Sequence, residues 1–268
     1  MKKVLTIAGS DTSGGAGIQA DLKSFEERGT YGMSAITVLV AMDPDNNWAH
    51  QVFPVPLDTI KAQVKTVLQG IGVDAVKTGM LPTVEIIQYV GSVLKDVTAP
   101  VVIDPVMACK VNGGVPENLF PENVEAMKEH LLPYATVVTP NDFEAAQLAG
   151  MEAIKSLDEA KEAAKKIHAL GPKSVVIKCR EGFGNGVAID LIYDGTDFTP
   201  VGSQRVETTW THGAGCTYSA CITAELAKGK SVKEAVMIAK TLITNALEGS
   251  FALNQYAGPV DHHQLRNK

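Results

Sequence analysis

The 268-residue chain is 45% hydrophobic and 20% charged, the balance of a globular protein long enough for one large α/β domain or two small ones. Its net charge of -6 leaves no basic footprint, which argues against nucleic acid or an anionic membrane as partner, so any phosphate site must be built locally. Four cysteines without C-x-x-C spacing (Cys109, Cys179, Cys216 and Cys221) predict free thiols in a reducing cytoplasm, not a disulfide framework or a zinc site.

The apolar run after Lys2 and Lys3 is broken by Gly9, Ser10 and Asp11, which is unlike a signal peptide. No apolar stretch approaches the roughly 20 residues that span a bilayer. From the N-terminus, a strand over 4–8 leads through a glycine turn to a helix over 18–27. A buried-strand run covers 34–41, and a helix over 59–68 precedes a short strand at 75–77. A helix over 84–94 and a strand at 101–103 follow, then a helix near 122–131 and a strand at 136–138. Ser156 and Glu159, three apart, open a helix to residue 170 as a capping box, and a strand follows at 174–178. This repeated strand–helix–strand order predicts a mainly parallel sheet with helices on both faces.

The pattern then changes. Apolar runs over 187–193 and 198–206 flank Asp194-Gly195, a hairpin signal. Two helices close the chain, the second opened by a capping box of Ser231 and Glu234. With no linker, repeat or composition break, residues 1–268 are read as a single domain.

In an open parallel sheet, ligands bind beyond the carboxyl ends of the strands. G-S-D-T-S-G-G-A-G (9–17) follows the first strand, and its Asp11 is placed to bond a ligand's hydroxyl or ring nitrogen. A plain flexible turn fits the glycines equally well. Asp104 in D-P-V-M-A-C-K suits a hydrated Mg²⁺, which needs only one or two carboxylates, although Asp-Pro also starts turns. The stretch 111–118 (V-N-G-G-V-P-E-N) reads as a mobile flap able to exclude water. Asn141 and Glu144 form a capping box with Asn in place of Ser/Thr. Lys178 ends a strand where it can meet phosphate or simply be solvated.

T-H-G-A-G-C (211–216) carries the clearest signal. A glycine turn entering a helix gathers N–H groups around one point and aims the helix dipole there, which favours a transferring phosphoryl group. The same field is expected to lower the pKa of Cys216. Cys221, about 140° further round the helix, reads as a buried packing residue.

Five collinear stretches, G-S-D-x-S-G-G-A-G-I-Q-A-D-L-K, K-T-G-M-L, D-P-V-M, T-P-N-x-x-E and H-G-A-G-C-T, resemble the hydroxymethylpyrimidine kinase / pyridoxal kinase branch of the ribokinase superfamily over nearly the whole chain. The resemblance implies a ribokinase-like α/β fold with a small hairpin and a flap over the site. It also implies transfer of phosphate from ATP, with Mg²⁺ and optionally a monovalent cation, to a hydroxymethyl group on a nitrogen heterocycle. In its terms Cys216, as thiolate, replaces the superfamily's usual aspartate base, and Gly213, Ala214 and Gly215 form the anion hole. Asp104 and Glu144 organise Mg²⁺. Asn141, Glu144, Lys178, Thr211 and Lys240 serve ATP, with Lys240 toward the adenine. Asp11, Met42, His50, Met80 and Cys109 line the substrate site. A cytoplasmic homodimer is implied.

Hydroxymethylpyrimidine kinases of the branch carry a glutamine in an A-Q-N stretch, where this chain has Met42 in V-A-M-D. A thioether cannot read an aminopyrimidine edge as an amide does, so Met42, with W-A-H at 48–50, points to the pyridoxal-kinase subgroup. Cys109 in the flap is a candidate, with Cys216, for reversible addition to the pyridoxal aldehyde; a small buried thiol fits Cys109 as well. The family's K-G-G is replaced here by Lys178-Cys179-Arg180. The alternatives are a hydroxymethylpyrimidine (phosphate) kinase, and a non-catalytic vitamin-binding protein that would have lost Cys216, Asp104 or Glu144. A dinucleotide-dependent oxidoreductase would need G-x-G-x-x-G on the first turn, which S-G-G-A-G-I-Q does not supply.

Overall fold

A computed structural model describes residues 1–109, 117–118, 122–179 and 186–266, with the side chains of 108, 109, 117 and 118 left aside. The first half of the chain runs β1 (Lys3–Asp11), α1 (Gly17–Glu27), β2 (Tyr31–Asp43), β3 (Ala49–Pro54), α2 (Leu57–Leu68), β4 (Ala75–Thr78), α3 (Val84–Leu94) and β5 (Val101–Ile103). A two-stranded ribbon of β6 (Ala108–Cys109) and β7 (Glu117–Asn118) follows. The second half runs α4 (Asn123–His130), β8 (Val137–Val138), α5 (Asp142–Ala149), α6 (Leu157–His168), β9 (Val175–Cys179), β10 (Val187–Tyr193), β11 (Phe198–Gln204), α7 (Ala214–Ala227) and α8 (Val232–Glu248).

Nine strands form one sheet in the order β11-β10-β9-β8-β5-β4-β1-β2-β3. The six central strands pair in parallel, whereas β3 at one edge and β10 and β11 at the other are antiparallel. Alternation along each strand feeds two cores. Leu5, Ile7, Val76 and Ile103 pack with apolar residues of α2, α3, α4 and α6 on one face. Val4, Ala75, Val102 and Val176 meet α1, α7 and α8 on the other. All parallel strands therefore end at the same edge, where Asp11 closes β1, Lys178 lies near the end of β9, and Asp104 and Asn141 follow β5 and β8.

Besides the unmarked β6–β7 ribbon, the structure departs from the sequence reading at the β2–β3 edge, at the start of α6 and in the β10–β11 loop. β2 is 13 residues long, and its partner β3 is a strand the pattern did not mark. At α6, Ser156 accepts the N–H of Glu159, but the Glu159 carboxylate turns to the Lys155 N–H, so only half of the expected capping box forms. The Asp194-Gly195 hairpin is a four-residue loop, since Tyr193 pairs with Phe198, and Asp194 Oδ1 accepts the N–H groups of Thr196 and Asp197 at 2.9 and 2.8 Å.

Candidate active site

The site begins where β1 ends. Asp11 Oδ1 accepts the N–H and the hydroxyl of Ser13, both at 2.8 Å. Its Oδ2 accepts the N–H groups of Gly15 (3.1 Å) and Ala16 (2.7 Å) and faces His212 Nε2 at 2.8 Å. Burial works against the Asp11 charge, but the His212 contact and these N–H and O–H donors outweigh it and pull the pKa down to about 2. Both oxygens are thus engaged by the protein, and Asp11 also lines the cleft beside His212. Asp11 folds the loop and clasps it to His212.

That clasp joins two glycine turns backbone to backbone. Gly213, the N-cap of α7, has φ +77°, and a Cβ there would overlap the Gly15 carbonyl oxygen. The close approach fixes the start of α7 beside the β1 loop. The Ala214 N–H donates to the Thr211 carbonyl at 3.1 Å, so Ala214 is not a free donor. Helix geometry leaves the next N–H groups, of Gly215 and Cys216, without intrahelical acceptors. Of the turn expected to form the anion hole, Ala214 is therefore engaged, and the N–H groups available at this point are those of Gly215 and Cys216.

Lys178 Nζ reaches this point, 3.6 Å from where a Cβ of Gly215 would lie. It also donates to Asp104 Oδ1 at 3.3 Å. Burial disfavours its charge, yet the carboxylates of Asp104 and Glu144 hold its pKa above the ordinary lysine value. Asp104, which is buried, accepts further bonds from the hydroxyls of Ser219 (3.1 Å) and Thr139 (3.4 Å). Asn141 and Glu144 form the reciprocal capping box of α5, at 2.8 and 2.9 Å, and Asn141 bridges to Lys178 in the sheet. Asp104, Asn141, Glu144, Lys178 and Gly215 are thus brought together. Lys240 is not among them. Its ammonium is buried against Asp190 at 3.1 Å between α8 and β10, which corrects its reading as an adenine contact.

A cleft of about 500 Å³, its open mouth included, runs beside the anion point. Met42 and His50, cross-strand partners on β2 and β3, form one wall with Met80 and Val106. Asp11, His212, Lys77 and Cys216 form the other. Burial first, and then His212, hold the His50 imidazole below its ordinary pKa, and its Nδ1 is buried with no partner among the described residues.

Cys216 overturns one expectation. Burial pushes its thiol up to about 12, and the carboxylates of Asp21 and Asp104 add to this, against the opposing effects of Lys77 and the Gly17 N–H. The helix N-terminus does not outweigh these effects. Cys221 is a buried packing residue as expected, and burial likewise raises its thiol and that of Cys179 to about 12. The flap residues 111–116 and the side chain of Cys109 lie outside the described residues. Sequence reasoning missed Lys77 and His212 as site residues, although a lysine inside the apolar run A-V-K-T and the histidine of H-G-A-G-C were both signals.

A family model described as phosphomethylpyrimidine kinase matches residues 11–261. Among curated proteins, the chain is 57% identical over 267 residues to the pyridoxine kinase of Bacillus subtilis (99% of this chain, 97% of the relative). It is 39% identical over 265 residues to a hydroxymethylpyrimidine/phosphomethylpyrimidine kinase of the same species (98% and 96%). Among solved structures, the pyridoxal kinase of Staphylococcus aureus in complex with AMP-PCP and pyridoxal aligns with a TM-score of 0.91 at 48% identity (98% and 94%).

Proposed function

The chain belongs to the phosphomethylpyrimidine kinase family, and within it we propose that this member phosphorylates the 5′-hydroxymethyl group of pyridoxal, pyridoxine and pyridoxamine at the expense of ATP. The observation that carries this is the junction of two half-sites. A narrow, largely apolar cleft ends on Cys216, and the free first-turn N–H groups of α7 and the Lys178 ammonium stand at that same end.

Each half has a chemical task. The Gly215 and Cys216 N–H groups and Lys178 supply fixed positive potential where charge gathers on the transferring phosphoryl group, as such reactions require. Asp104 and Glu144 are oxygen donors fitted to a hydrated Mg²⁺, and such an ion would supply charge neutralisation on the triphosphate. Cys216 faces the substrate hydroxyl and receives its proton. Met42 and Met80 pack on the ring, and the unpartnered His50 Nδ1 suits a ring substituent that can donate a hydrogen bond, as the pyridoxal hydroxyl does.

One kinase domain over residues 1–268, working in the cytoplasm as a homodimer, completes the proposal. The dimer draws support from Leu39 and Phe53, direct cross-strand partners on the outer strands that stay about half exposed. No helix among the described residues is long and apolar enough to cross a membrane. A coupled ADP-release assay with pyridoxal, pyridoxine and hydroxymethylpyrimidine tests the substrate. The highest kcat/KM is expected with a vitamin B6 form, and a strong preference for the pyrimidine would contradict the proposal.

A further inference from the structure

Lys77, in the wall of the cleft, is a charged group to which the phosphoryl transfer above gives no task. Lys77 is fully buried near the end of β4, on the sheet face that carries Ala75 and Thr6 and packs under α1 and α7. Its ammonium donates to Asp21 Oδ2 of α1 at 3.1 Å, and the same oxygen accepts the Thr6 hydroxyl at 2.6 Å. Both partners are wholly inaccessible, and Asp21 Oδ1 is buried without a partner among the described residues. Buried ion pairs seldom stabilise a fold more than apolar packing of the same volume would. An incompletely bonded pair in the wall of a ligand cleft therefore asks for a reason other than stability.

We propose that Lys77 is a positioning charge for Cys216, stabilising its anionic form beneath the substrate hydroxyl, and that Asp21 tempers that effect. Lys77 and Cys216 line the same cleft from β4 and α7. The groups that face the thiol are Lys77 from β4, Asp21 from α1, Asp104 beyond β5 and Lys178 from β9. The two carboxylates oppose the thiolate and the two ammonium groups favour it. Lys178 is shared with Asp104 and stands at the phosphate point, so Lys77 is the cation left for the sulfur. Burial opposes its charge, but the Asp21 carboxylate, with Cys216 and the Asp104 carboxylate acting in the same direction, holds its pKa above the ordinary value, so it remains a fixed positive charge. The inference rests on the reading of Cys216 as base. As the hydroxyl oxygen bonds to the γ-phosphorus and the bond to the ADP oxygen breaks, the hydroxyl proton passes to Cys216 Sγ. Lys77 keeps its own protons throughout.

The test is the pH dependence of iodoacetamide alkylation at Cys216. It uses the full chain free of metal and nucleotide, read by mass spectrometry of the Cys216 peptide so that other cysteines do not interfere. Alkylation follows the thiolate fraction, and a neighbouring charge moves a pKa by a unit or more. Lys77→Met is expected to slow labelling about tenfold at pH 8–9, with Lys77→Arg restoring most of the rate. Asp21→Asn is expected to speed it about tenfold. A merely structural pair would give changes of one sign, because breaking either half loosens the same contact. A Lys77→Met profile superimposable on wild type, or slower labelling in Asp21→Asn, overturns the proposal. Should Lys77→Met fail to fold, the neutral double variant Lys77→Met/Asp21→Asn takes its place and must label more slowly than Asp21→Asn alone. Full turnover by Cys216→Ala would instead overturn the base reading and leave the labelling result standing, so the two failures are distinguishable.

Discussion

Acidification should loosen the fold through one histidine that holds the catalytic helix. His262 is buried behind α7, with its Nε2 at 3.0 Å from the hydroxyl of Thr217, the residue that follows Cys216. Burial, with Lys23 acting in the same direction, depresses its pKa from 6.5 to about 4. Between those values the unfolded chain binds a proton that the native chain refuses. Stability therefore rises with pH across this window and is lost as pH falls from about 6.5 toward about 4. At roughly 1.36 kcal/mol per unit the full effect is about 3 kcal/mol, of which about 2 kcal/mol is gone by pH 5. Urea unfolding of wild type and His262→Gln at pH 7, 6 and 5 measures it. The variant should be the less stable at pH 7, with the difference shrinking or reversing by pH 5. Parallel stability profiles for the two proteins would refute the linkage.

Three further substitutions probe the scaffold of the site. Asp11→Asn should cost about 2 kcal/mol at neutral pH, the worth of a carboxyl lowered to about 2. Because the native pKa is the depressed one, that advantage is present above the unfolded value near 4 and fades toward pH 2, as paired denaturation curves would show. Gly213→Ala combines a left-handed backbone with overlap onto the Gly15 carbonyl. It should lower stability by roughly 3 kcal/mol or more, or displace the α7 start and abolish turnover, which thermal melts and activity report together. Arg28 donates to Glu225 Oε1 from Nε and Nη2 at 2.9 and 2.7 Å in the buried contact between α1 and α7. Arg28→Met should cost about 3 kcal/mol by calorimetry, the low end for a broken buried pair, because Lys228 still reaches the same oxygen at 2.7 Å.

What was legible in the sequence had local causes. The apolar periodicity of 84–94 and the β-branched run 101–103 became α3 and β5 with the expected bounds. The capping boxes at Asn141 and Ser231 formed because both partners lie within one turn. The missing information lay in pairings distant along the chain. β3 is an edge strand of mixed polarity, made a strand by the unexpectedly long β2 beside it. Lys77 stands out inside the apolar run A-V-K-T, but its partner Asp21 lies 56 residues earlier and nothing local marks the pair. Lys240 is claimed by Asp190 in the same way. The helix field at Cys216 was visible in T-H-G-A-G-C, but the burial and the two carboxylates that outweigh it were not.

The central claim is that Cys216 takes the proton of the substrate hydroxyl, and steady-state kinetics of Cys216→Ala with pyridoxal and saturating Mg-ATP test it most directly. A lost general base costs about 10²–10⁴-fold, so kcat should fall by that factor while KM for pyridoxal stays within a few-fold of wild type. Cys216→Asp should recover part of the loss. An unchanged kcat in Cys216→Ala would contradict the claim.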